Sequence, residues 1–147
     1  MGIKRVLCVC KGNSDRSPAM EAVLRMYLEN AGHDVTVESA GILEVADKGG
    51  SCSSCIAKAA SRIGLDLSEH CKRWIEKLDL DGYDLFVVVD ETVANRVLEL
   101  AGFDKMSKVH NAEVTNPWPS QFQEDHDKTF QYILGAMHKV MVRYFSE

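Results

Sequence analysis

Runs of consecutive apolar residues alternate along this chain with longer stretches in which apolar positions recur every three or four residues. The first kind of run suits a strand buried on both faces, the second a helix with one buried stripe. Ile3 to Val9 and Tyr83 to Asp90 are of the first kind, and in the latter Leu85 to Val89 is wholly apolar. Two further strands are predicted at Val35 to Ser39 and around Lys108 to His110. Helical spacing links Met20, Val23, Leu24, Tyr27 and Leu28, in a helix opened by Ser17 as N-cap with Pro18 in its first turn and stopped by Gly32. A second helix is predicted from Cys52 to Ile63, ended by Gly64. A short one is capped by Ser68 and runs to Leu78, and another spans Glu91 to Ala101 with Gly102 just past it. The last, about Glu124 to Tyr144, carries Phe130, Ile133, Leu134, Met137, Met141, Tyr144 and Phe145 on one face. Strands separated by helices in this order predict an α/β fold of three layers, a four-stranded parallel sheet with helices on both faces. No repeat, linker or shift in composition divides the 147 residues, so 1–147 is read as a single domain.

Composition narrows the function classes. With 46% hydrophobic and 27% charged residues the chain reads as a globular protein. A net charge of -5 argues against a nucleic-acid-binding surface, and any anion site must be local. No window approaches a membrane span and the N-terminal apolar run is too short for a signal peptide, so a cytoplasmic location is expected. Five cysteines without a secretory signal point to reduced thiols. Cys52 and Cys55 have the spacing of a redox or zinc pair, but no second pair completes a metal site, and no metal or cofactor is expected. Cys8, on the first strand, is read as buried.

The chemistry concentrates in Val6 to Met20, VLCVCKGNSDRSPAM. In parallel α/β sheets ligands sit beyond the C-terminal ends of the strands, which is where Cys10 falls, directly before a helix. The backbone N–H groups of Lys11, Gly12, Asn13, Ser14, Asp15 and Arg16 can converge on phosphate oxygens, helped by the positive end of the helix. Gly12 and Asn13 are residue types that tolerate the left-handed backbone of a tight loop. Arg16 offers a planar fork for two phosphate oxygens. The same field favours a thiolate at Cys10, with Ser17 placed to hydrogen-bond to it. A carboxylate at Asp15 would oppose both thiolate and phosphate if it faced inward, so it is expected to point outward or to pair with a neighbouring base.

These residues resemble the low-molecular-weight protein tyrosine phosphatases, whose loop has the pattern V-C-x-G-N-x-C-R-S-P and here reads Val9 to Pro18. ESAGI (Glu38 to Ile42), DLSEHCKR (Asp66 to Arg73) and DLFVVVDE (Asp84 to Glu91) resemble further family segments, so the likeness runs over nearly the whole chain. It implies Cys10 as nucleophile, Arg16 as phosphate clamp, Ser17 as donor to the thiolate, and Asn13, Ser39 and His70 as a network holding the loop in shape. It also implies a phosphotyrosine protein or small aryl phosphate as substrate, and inorganic phosphate or another oxyanion as ligand.

The sequence departs from the family at two places that matter. Where the family has an Asp-Pro pair that protonates the leaving group, this chain has Asn116-Pro117. An amide can hydrogen-bond to a leaving oxygen but cannot give it a proton, which predicts a loss of ~10²- to 10⁴-fold and a weak phosphatase. Glu113, Glu124 and Asp125 are the nearby acids that could substitute. The second departure is Asp15, which stands where the family has a cysteine able to form a disulfide with the nucleophile. Trp118 falls where the family lines its pocket with an aromatic residue, whereas Ile42 to Gly50 on the opposite wall has none, which predicts a wider slot. Two alternatives stay open: arsenate reduction on the same fold, relying on Cys52, Cys55 or Cys71 as relay thiols, and a non-catalytic phosphate or phosphotyrosine binder.

Overall fold

The computed structural model describes residues 2–146. Its four strands are β1 (Arg5–Cys10), β2 (Thr36–Gly41), β3 (Leu85–Val88) and β4 (Val109–Asn111), all parallel, in the order β2-β1-β3-β4. The helices are α1 (Arg16–Asn30), α2 (Ser54–Ser61), α3 (Glu91–Ala101) and α4 (Gln123–Phe145). From β1 the chain steps through α1 to β2, and from β3 it steps the other way through α3 to β4. Right-handed crossovers therefore set α1 and α3 on opposite faces. The reversal lies between β1 and β3, and it opens a crevice beyond Cys10.

Burial explains why β1 and β3 are central. Val6 to Val9 and Leu85 to Val89 are each at most 1% exposed, and every such side chain contributes about 1.5–3 kcal/mol by leaving water. β4, with Val109 and His110 half-buried and Asn111 exposed, forms the edge. On one face α4 packs against both α1 and α2. Its buried stripe is His126, Phe130, Ile133, Ala136, Met137 and Val140, so the predicted Leu134, Met141, Tyr144 and Phe145 lie at its half-buried margin.

Three local expectations are corrected. Helix α1 starts at Arg16, so Ser17 lies inside its first turn and its hydroxyl is free for Cys10 instead of capping. Asp15 holds the N-cap position, yet makes no capping hydrogen bond. The segment after Ser68 is no helix: Ser68 and Glu69 form a turn, His70 to Arg73 take no regular structure, Trp74 bridges to Gly41, and a single 3₁₀ turn follows at Ile75–Lys77. There the Arg73 N–H donates to Asn13 Oδ1, and the Arg73 carbonyl accepts from Gly41 N–H. A helix would have used both groups internally. The predicted helix from Cys52 starts later, at Ser54, where the Ser53 hydroxyl accepts from Ile56 N–H.

Candidate active site

The loop from Cys10 to Arg16 turns on Asn13, a non-glycine residue with φ of 57°. Gly12 is not in the left-handed region, and a Cβ there would meet open space, so the tight geometry rests on Asn13 alone. The glycine this loop does require is Gly41, at the end of β2. A Cβ at position 41 would stand 2.5 Å from the Lys11 carbonyl oxygen and 2.9 Å from Asn13 N.

Asn13 is fully buried and spends its whole side chain on the loop. Its Nδ2 donates to Ser17 Oγ at 2.8 Å and to Ser39 Oγ at 2.9 Å, while Oδ1 accepts from Arg73 N. Both serine oxygens thus receive a hydrogen from Asn13 and must direct their own elsewhere. Ser39 donates to Glu21 Oε1. Ser17 has Cys10 Sγ at 3.0 Å and the Ala40 carbonyl at 3.4 Å, so its nearer acceptor is the sulfur. Asn13 N–H also donates to Cys10 Sγ at 3.2 Å. Two donors can therefore converge on one sulfur. His70 Nε2 donates to the Asn13 carbonyl at 2.9 Å. Burial pushes the His70 imidazole below its ordinary range, and the hydrogen bond to Asn13 only partly opposes this.

Arg16, 3% exposed, is gripped from behind. Its Nη1 donates to the Val114 carbonyl at 2.9 Å and lies 3.6 Å from Asp90 Oδ2. Asp90 also caps α3 by accepting from Val93 N–H. With Nη1 engaged, the remaining guanidinium donors are left for an oxyanion. Cys10 and Arg16 line a cleft of about 420 Å³ together with Leu43, Val45, Asn116 and Trp118, with Lys11 and Lys72 adding positive charge. Trp118 is 70% exposed.

All the candidate residues meet here: Lys11, Gly12, Ser14, Asp15, Arg16, Asn116 and Trp118 share the cleft with Cys10, and Asn13, Ser39 and His70 brace it from below. Asn116 Oδ1 accepts from Trp118 N–H at 3.1 Å, which leaves its Nδ2 as the free polar end. Glu113, Glu124 and Asp125 do not line the cleft, so none is placed as a substitute acid. Among the lining residues Cys10 is the only thiol, and Cys52, Cys55 and Cys71 lie elsewhere. Cys8 is fully buried, and desolvation pushes its thiol well up. Sequence reasoning missed Glu21, Asp90 and the Val114 carbonyl. Asp90 follows an apolar strand in the parallel sheet, a position that could have flagged it, whereas nothing local marks Val114.

Three comparisons place this arrangement among known proteins. The family model described as low molecular weight phosphotyrosine protein phosphatase matches residues 5–145. The low molecular weight protein-tyrosine-phosphatase Wzb of Escherichia coli K12 is 31% identical over 96 residues, which are 65% of this chain and 61% of that protein. Wzb of Salmonella typhi is 33% identical over 87 residues, 59% of this chain and 54% of that one. The chain thus aligns with about three-fifths or less of the length of these curated relatives. Among solved structures, the low molecular weight protein tyrosine phosphatase of T. tengcongensis superimposes with a TM-score of 0.83 at 25% identity, covering 95% of this chain and 99% of its own. Wzb of Vibrio vulnificus, solved with benzylphosphonate, shares the fold with a TM-score of 0.83 at 22% identity, covering 97% and 99%.

Proposed function

Since the chain belongs to the low molecular weight phosphotyrosine protein phosphatase family, we propose that it hydrolyses aryl phosphate monoesters, phosphotyrosine among them, in the cytoplasm and as one domain. The observation that supports this most is the pair of donors, Ser17 Oγ and Asn13 N–H, on Cys10 Sγ at the floor of a cleft that also holds Arg16. In the first step the Cys10 thiolate attacks phosphorus, a sulfur–phosphorus bond forms, and the phosphorus–oxygen bond to the aryl group breaks. Arg16 and the loop N–H groups hold the equatorial oxygens as charge shifts. The leaving oxygen departs as a phenolate that Asn116 Nδ2 can hydrogen-bond but not protonate. In the second step water displaces Cys10 from phosphorus without a carboxylate to draw off its proton, so both steps are slowed.

Burst kinetics with an activated aryl phosphate test the reading. The expected result is a rapid release of one equivalent of phenol followed by slow turnover, both abolished by Cys10→Ser. Stoichiometric phosphate binding without any burst would instead make the protein an oxyanion binder. The absence of a second thiol in the cleft disfavours arsenate reduction by an internal cysteine relay.

A further inference from the structure

Asp15 precedes the phosphate-gripping arginine, in a loop that gathers negative charge, and its carboxylate is neither exposed nor used to cap α1. It is 7% exposed and turned toward two partners. Its Oδ1 accepts from the Ser53 hydroxyl, which itself accepts from Ile56 N–H. The same oxygen lies 3.3 Å from Nδ1 of His126, a residue on α4 that is 3% exposed. At its other end, His126 Nε2 is 2.9 Å from the Ser120 carbonyl.

Counting hydrogens sets the state of this ring. A carbonyl oxygen can only accept, so Nε2 carries a hydrogen. A neutral ring would then turn the bare lone pair of Nδ1 toward a carboxylate oxygen, in a buried place where both have lost water. Nδ1 makes no aligned hydrogen bond, and the group it faces is the Asp15 carboxylate. The nearby acids of α4 are engaged elsewhere: Asp125 accepts from the Ser120 hydroxyl, and Asp127 accepts from Arg62 and Gln123.

We propose that His126 is held as an imidazolium that neutralises Asp15, and that this buried pair makes a carboxylate compatible with the oxyanion loop while strapping that loop to the segment bearing Asn116 and Trp118. The inference rests on reading Cys10 to Arg16 as an oxyanion cradle. His126 is on this account a positioning residue, acting on the ligand only through Asp15. The pair joins residues far apart in sequence, and it explains how this chain carries an acid in a loop built for anions.

The test is the binding of inorganic phosphate, measured calorimetrically, to the wild type, His126→Phe, Asp15→Asn and the double variant. His126→Phe strands the carboxylate beside the anion and is expected to weaken phosphate binding by ~10-fold or more, and adding Asp15→Asn recovers most of that loss. A folded His126→Phe protein with unchanged affinity, or a double variant as weak as His126→Phe alone, overturns the proposal. If His126→Phe fails to fold, the ring nitrogens of His126 in the wild type decide by ¹⁵N NMR at neutral pH. Two protonated nitrogens support the imidazolium, and a bare Nδ1 overturns it. The ring spectrum needs neither turnover nor bound phosphate, so failure of the phosphatase reading and failure of this one are distinguishable.

Discussion

Asn116→Asp places a carboxyl group at the lip of the cleft, with little else changed. The Asn116 carbonyl oxygen already accepts from Trp118 N–H, and one aspartate oxygen can keep that bond while the other takes the position of Nδ2. The thiolate and the bound phosphate, both anionic, favour the protonated acid that catalysis needs. A positioned general acid contributes ~10²- to 10⁴-fold. Because residue 116 is exposed, the lower end applies, about 10²-fold or ~2.7 kcal/mol of barrier at 1.36 kcal/mol per tenfold. The gain is expected in kcat/KM for phosphotyrosine, whose leaving oxygen needs the proton. For an activated aryl phosphate the expected gain is below ~10-fold, since its phenolate departs unaided. Steady-state kinetics on both substrates from about pH 5 to 8 should also show a new alkaline limb in the variant, as the introduced acid loses its proton. Equal gains on the two substrates, or none, would refute the assignment of residue 116 to the leaving-group side.

Two further expectations concern the scaffold. Gly41→Ala drives a methyl group into the backbone of Lys11 and Asn13 and should cost ~1–3 kcal/mol in denaturant unfolding, as overpacking does. Its phosphate affinity should fall further than that of an alanine at open Gly12, and equal effects at the two sites would disprove the contact. Glu38 is pushed up by burial, but the hydrogen bonds from Arg5 and Tyr83 and the nearby Arg73 outweigh this, so its carboxyl titrates below the usual glutamate range. A depressed carboxylate stabilises the fold at neutral pH and loses that contribution as pH falls through its folded value. Glu38→Gln should therefore cost no more than the ~1 kcal/mol of a solvent-screened surface pair at pH 7, and the difference should vanish as pH falls through the folded value of Glu38. A difference that is constant with pH would contradict this.

What was legible in the sequence tracks how local each determinant is. β1 and β3 announce themselves because every residue in them after the leading Arg5 is buried, and α3 because Gly102 marks its end. The segment from Ser68 to Trp74 misled because its capping serine and apolar spacing are helical, while its backbone is claimed by Asn13 and Gly41 across the molecule. Cys10, Asn13, Arg16 and Ser17 were found as a contiguous loop. Ser39, His70, Asn116 and Trp118 entered only through family resemblance, since each reaches the site from a different element. The partner of Asp15 was legible only as a kind of residue, a base, because nothing near His126 in sequence connects it with the phosphate loop.

The proline after Asn116 governs how durable that amide is. Asparagine turns into aspartate chiefly when the backbone nitrogen of the next residue attacks the side-chain carbonyl to close a cyclic imide. Pro117 has no N–H to lose, so this ageing route is closed at the position proposed to lack the acid. A stored preparation therefore does not accumulate an aspartate-bearing fraction at this position by that chemistry, and slow turnover measured on it belongs to the amide form itself.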